Sequence, residues 1–257
     1  GNDVDGSFDS DDYLLFYGNG PHRIEQTGSE LHHVLNHFSD TSFYFIHVDA
    51  SESPKRVMSQ AQSTSLANQI VTSFDDYMYN EAERINFWES GREWYGDRYN
   101  SLVDSYTYNF SVPNITADSI KLVTKLASRS TTNCNFTVSI SGVSETITLG
   151  SIPPSSYDYA TLRTSTIYLE NAPSSILVNV NYGHAGSITA EGFMDVLELN
   201  VRRKLIMVGN SMKFQDINSI GTGQVSEFQL TNAAQVTAIW DITNHHEVSS
   251  IDFTDIS

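Results

Sequence analysis

Cys134 is the only cysteine of the chain, and a thiol nucleophile needs a base beside it and electropositive or helix-terminal surroundings. Cys134 instead opens an alternation with Phe136, Val138 and Ile140 against Asn135, Thr137 and Ser139, and it falls on the apolar side. It reads as a buried small hydrophobe, the common fate of a free cysteine. A single cysteine also excludes an intramolecular disulfide and a cysteine-based zinc cluster.

His32, His33 and His37 offer imidazoles, and positions 33 and 37 would share one face of a helix. Zinc peptidases that use this spacing place a glutamate after the first histidine as the base. Here Val34, Leu35 and Asn36 intervene, so the base is missing and no metal is expected. His245 and His246 are adjacent and would point to opposite faces of a strand. Asp3, Asp5, Asp9, Asp11 and Asp12 are dense enough to suggest calcium, but Gly6 comes too early for an EF-hand and no glutamate closes the loop. They read as a solvated terminus. Asp75 with Asp76, and Glu81 with Glu83, could pair for acid–base work, and exposed charges are the preferred reading. No G-x-S-x-G, Walker or dinucleotide-binding pattern occurs, and no cofactor is expected. The triplets at Asn109, Asn114 and Asn135 fit the N-glycosylation pattern, which matters only in a eukaryotic secretory route.

Trp88, Trp94 and Tyr95 are the more informative group. Exposed rings would stack on a sugar or anchor a partner; buried ones would seal a junction between subdomains, and the second reading is preferred.

The elements that must carry these residues are mostly strands. The chain has 257 residues, 39% of them hydrophobic and 18% charged, a balance that suits a folded protein. Its abundant Ser, Thr and Asn compete with a helix for backbone hydrogen bonds. A net charge of −17 repels phosphate backbones and anionic lipid, which argues against nucleic-acid partners. No apolar run reaches the ~20 residues of a membrane span. No signal peptide is recognisable. Gly1 looks like the remnant of a removed tag, and the chain reads as a portion of a longer, exported bacterial protein.

Along the chain, Asp12–Tyr17, Phe43–Val48, Pro54–Met58 and Gln69–Met78 are strand candidates. Leu31, Val34, Leu35 and Phe38 fit a short helix capped by Ser29, and 79–89 reads as at least one helical turn. The segment Ser90-Gly91-Arg92-Glu93-Trp94-Tyr95-Gly96-Asp97 reads as an ordered loop. From about residue 104, period-2 alternation dominates: Ile120, Leu122, Thr124 and Leu126 against Lys121 and Lys125; Ile176, Val178, Val180 and Tyr182; Leu197, Leu199 and Val201 against Glu198, Asn200 and Arg202. Further strands are expected around Met212–Phe214, Val225–Leu230 and Val236–Trp240, with a hairpin turn at Gly221-Thr222-Gly223. The expected fold is all-β: an antiparallel, jelly-roll-like β-sandwich over 101–257, with a smaller β-rich N-terminal subdomain over 1–100 and little helix. The expectation leaves room for strands exchanged across that boundary.

Four stretches carry a resemblance. Asp11-Asp12-Tyr13-Leu14-Leu15-Phe16-Tyr17-Gly18-Asn19-Gly20-Pro21-His22, the run 36–45, the run 90–97 with its Arg-Glu-Trp-Tyr-Gly core, and 197–207 with Asn200 and the Arg202-Arg203 pair resemble, in order and spacing, segments of the PorU family. These are gingipain-like C25 cysteine peptidases that act as sortases of the Bacteroidetes type IX secretion system. The resemblance implies a cell-surface, outer-membrane-associated enzyme that removes C-terminal sorting domains from secreted cargo and can attach the cargo to the surface. It also implies that the catalytic Cys–His pair lies in a following α/β domain, because no catalytic motif of the family is matched here. The chain is then a non-catalytic accessory region that positions or shields the downstream peptidase domain, with secreted cargo or other secretion components as further partners. Arg92, Glu93, Trp94 and Tyr95 are the expected contact surface. The alternative is a carbohydrate-binding β-sandwich module.

Overall fold

In a computed structural model of the chain, the residues described are Ser10, 13–49, Ser51, Ser53, 55–87, Glu89 and 91–255. The aspartates at 3, 5, 9, 11 and 12, together with Trp88 and Ser90, lie outside them.

The strands in chain order are β1 (Arg23–Thr27), β2 (Glu30–Val34), β3 (Met58–Gln60), β4 (Gln69–Val71), β5 (Ser73–Glu81), β6 (Arg98–Tyr99), β7 (Ser105–Ser111), β8 (Ile120–Arg129), β9 (Cys134–Ile140), β10 (Val143–Leu149), β11 (Thr161–Leu169), β12 (Ser175–Gly183), β13 (Glu191–Lys204), β14 (Ser226–Phe228), β15 (Ile239–Asp241) and β16 (Ser249–Ile251). One 3-10 turn spans Ile217–Ser219. Among the described residues no helix is long and apolar enough to cross a membrane.

Two sheets form a sandwich, one in the order β10-β9-β12-β7 and the other β11-β8-β13-β5, with β6 joining β13. With the short β6 set aside, consecutive strands from β5 to β13 cross between the sheets except at the β9–β10 hairpin. There Ile140 pairs with Val143 around Ser141 and Gly142, whose φ values of 45° and 87° suit a two-residue hairpin turn. This eight-strand order is that of a jelly roll. The expected all-β, jelly-roll-like fold is therefore correct, and β5 is one of its eight strands.

Alternation sets the core. Cys134, Phe136, Val138 and Ile140 of β9 face Leu122, Leu126, Leu197 and Leu199 of the opposite sheet in one apolar cluster, with the polar residues between them outward. Gly192 of β13 has a packing role here. A Cβ at that position would lie 2.6 Å from Phe136 Cζ and 2.7 Å from Tyr182 Cδ2, so only glycine lets those two rings close over the strand.

Several local expectations are corrected. Leu31, Val34, Leu35 and Phe38 do not form a Ser29-capped helix; β2 pairs antiparallel with β1 in register Thr27 to Glu30, and Gly28 takes φ +62° in the two-residue turn. Only Leu31 of that helical stripe is buried, so the spacing offers no apolar face worth closing. The helical turn at 79–89 is absent because β5 continues to Glu81 on its partner β13. The described residues of Asp12–Tyr17, with Phe43–Val48 and Met212–Phe214, lie outside the strands. Gly221–Gly223 does turn, with Gln224 N–H on the Gly221 carbonyl, but it leads into β14, which runs parallel to β4 rather than closing a hairpin.

The outward face of β13 is also not left to water. Glu198 is only 4% exposed, because the β1–β2 hairpin lies across it. Glu198 accepts the His33 N–H (2.8 Å) and contacts His32 Nδ1 (3.2 Å), and Asn200 bonds both backbone groups of Leu31. Arg202 reaches Asp75 and Asp216.

Candidate functional site

The segment between β5 and β6 is an omega-shaped excursion closed at its neck. Ile85 and Tyr95 exchange both backbone hydrogen bonds, at 2.9 and 2.8 Å. Gly96 N–H donates to the Met194 carbonyl and Met194 N–H to Asp97, which stitches the neck onto β13. Gly96 sits close against Ala82, where an added Cβ would meet the Ala82 carbonyl oxygen at 3.2 Å. Within the loop Gly91 adopts φ +92°, Trp94 Nε1 donates to the Gly91 carbonyl and Asn86 Nδ2 to that of Glu93. The expectation of an ordered loop at 90–97 agrees with this bonding for its described residues.

The four expected contact residues divide. Arg92 and Glu93 are exposed, Trp94 is half-buried, and Tyr95 is 3% exposed. The Tyr95 ring packs on Phe87 (5.1 Å) and Phe193 (5.6 Å) and holds the loop from beneath. Beside it opens a depression of about 290 Å³, floored by Phe87, Tyr159, Ala160 and Leu162, with Arg92 and Glu93 on its wall.

A carboxylate cluster lies at the same end of the sandwich. Glu81 ends β5, and Glu83 follows it. Asp195 is the extra residue of a β-bulge in β13, where Met194 faces Leu126 and Val196 already faces Lys125. One oxygen from each carboxylate lies within 4.8 Å of the other two. Partial burial pushes Glu83 up to about 7, helped by Glu81 and Asp195. Burial likewise holds Asp195 at about 6 although Lys125 pulls it down. Glu81 also pairs with His33 Nδ1, and the His33 ring stacks on Tyr79 at 3.7 Å. Three oxygens at this spacing are chemistry for a hard divalent cation, which takes about six to eight oxygen ligands when it is calcium.

The other expected residues separate. Cys134 is buried, its thiol toward the Thr132 carbonyl, as its alternation predicts. Asp75 and Asp76 are not the exposed charges expected: Asp75 pairs with Arg202 at 2.8 Å and Asp76 with Arg203 at 2.6 Å. His245 contacts Tyr17 and Asn19. Asp195 carried no sequence signal, since a bulge inside the run 193–197 is invisible to a period-2 count.

No protein-family model and no curated protein sequence matches the chain. The crystal structure of dimeric latent PorU from Porphyromonas gingivalis superposes on 94% of this chain with a TM-score of 0.75 and 16% identity. The chain has the fold of a PorU region. It spans 23% of that PorU chain. A carbohydrate-binding module, CBM36, in complex with calcium and xylotriose aligns with 48% of this chain and 98% of its own (TM-score 0.31, 14% identity). A family 35 carbohydrate-binding module from Clostridium thermocellum aligns with 49% and 90% (0.28, 11%).

Proposed function

We propose that the chain is the non-catalytic accessory region of a PorU-like C25 cysteine peptidase at the bacterial cell surface, an enzyme that processes the C-terminal sorting domains of type IX-secreted cargo. Its task is to position or shield the peptidase domain of the same polypeptide. The observation that carries this reading is the superposition over 94% of the chain on a region of PorU, joined to the resemblance carried by segments 90–97 and 197–207. Burial of Cys134 counts against a nucleophile within these residues, because an ionised thiolate needs polar, accessible surroundings.

The loop at 91–95 is the proposed contact. Arg92 and Glu93 are exposed on the loop above its bonded neck, and Trp94 offers a half-buried ring beside an apolar depression, the mixture of anchor and polar rim that protein interfaces use. Titrating the chain with the separately produced peptidase domain tests it. Trp94→Ala and the fold-neutral Arg92→Glu should each weaken association at least tenfold, and an affinity unchanged in both would overturn the contact. Saturable binding on a glycan array would instead favour the carbohydrate-binding reading.

A further inference from the structure

Outside the sandwich, residues 13–72 and 205–255 are laced into a second layer. β4 pairs with β14 and β3 with β16, Gln62 Nε2 donates to the Asp252 carbonyl, and Lys213 sits over the Tyr17 ring at 5.2 Å. Among the described residues of this layer, the buried apolar side chains are Leu31, Val71 and Leu205 alone. So small a core does not offset the entropy of ordering that much backbone. The layer is short of a cover.

Its apolar groups lie instead on the surface, concentrated in the extended segments 13–17 and 43–48. These run beside each other, with Phe16 and Tyr44 rings 5.4 Å apart and the Tyr44 hydroxyl donating to the Asn19 carbonyl. Phe43, Phe45 and Val48 are 77%, 95% and 91% exposed. The aromatic rings of the two segments and Phe38 together present on the order of 800 Å². About 800 Å² is what one partner contributes to a stable interface. Composition adds a direction: Phe, Tyr, Ile and Val are strand formers. Yet among the described residues no backbone N–H or C=O of 13–17 or 43–48 bonds another backbone group. An added strand pairs such a row of backbone donors and acceptors in register.

We propose that segments 13–17 and 43–48 are the strands by which this chain joins the edge of a β-sheet in the peptidase domain, an inference that rests on the accessory reading above. In PorU the matched region is 23% of the chain, so most of that polypeptide is available to cover such a face. Asp40 and Asp49 flank the second segment in a chain of net charge −17, which calls for basic residues on the partner's rim.

Amide hydrogen exchange, measured on the 257-residue chain and on the full-length protein that contains it, tests the pairing. Exchange within 13–17 and 43–48 should be at least tenfold slower in the full-length protein. Phe45→Pro or Ile46→Pro, which remove adjacent donors on opposite strand edges, should abolish that protection, while Phe45→Ala should retain it. Unprotected segments in the full-length protein overturn the inference; if 91–95 is protected there, the accessory reading stands without it. Protection that appears in the isolated chain as its concentration rises, together with a dimer in sedimentation, would make a second copy the occupant and also overturn it.

Discussion

Asn200 of β13 grips Leu31 of β2 by both ends of its amide: Oδ1 accepts the Leu31 N–H at 2.7 Å and Nδ2 donates to the Leu31 carbonyl at 3.0 Å. A side chain thus stands in for a neighbouring strand, and it fastens the hairpin at its one fully buried apolar residue.

Asn200→Ala leaves both backbone groups of Leu31 unpaired in a buried setting, which costs about 1–3 kcal/mol. Thermal unfolding should register that loss, and amide exchange over 23–34 should accelerate while the β8 and β9 amides keep their protection. Asn200→Asp retains the acceptor and should fall between the two.

Gly192→Ala would place a methyl within 2.6 Å of Phe136 and 2.7 Å of Tyr182, both fully packed in the sandwich. Overpacking of this kind costs about 1–3 kcal/mol. A midpoint shift in urea without a change in slope would report it. Gly142→Asn, at a left-handed turn position with open space around it, should be nearly silent by comparison.

Glu83 and Asp195 bind protons more tightly in the folded chain, near 7 and 6, than their ordinary values of 4.5 and 3.8. The stability they contribute is therefore complete below about pH 4 and is lost as pH rises through 6 to 7. Unfolding midpoints measured from pH 5 to 8 should fall with pH, and Glu83→Gln should flatten that slope. Added calcium should recover part of the loss at pH 8 in the parent chain and less in Glu83→Gln.

What the sequence determined alone was the faces of strands. Alternation in 120–126, 134–140 and 176–182 assigned β8, β9 and β12 and put Cys134 inside, because in a pleated strand every second side chain meets the core. Turn residues such as Gly142 marked where those strands end. Tertiary structure decided what local spacing leaves undetermined. The stripe Leu31, Val34, Leu35 and Phe38 fits a helix as readily as a strand pair until Asn200 and Glu198 supply partners 160 or more residues away. The bulge that turns Asp195 toward Glu81 and Glu83 exists only once β13 is registered against both β8 and β5. Periodicity records which side of a segment is apolar; which segment covers its other side is a property of chain closure, and no short window contains it.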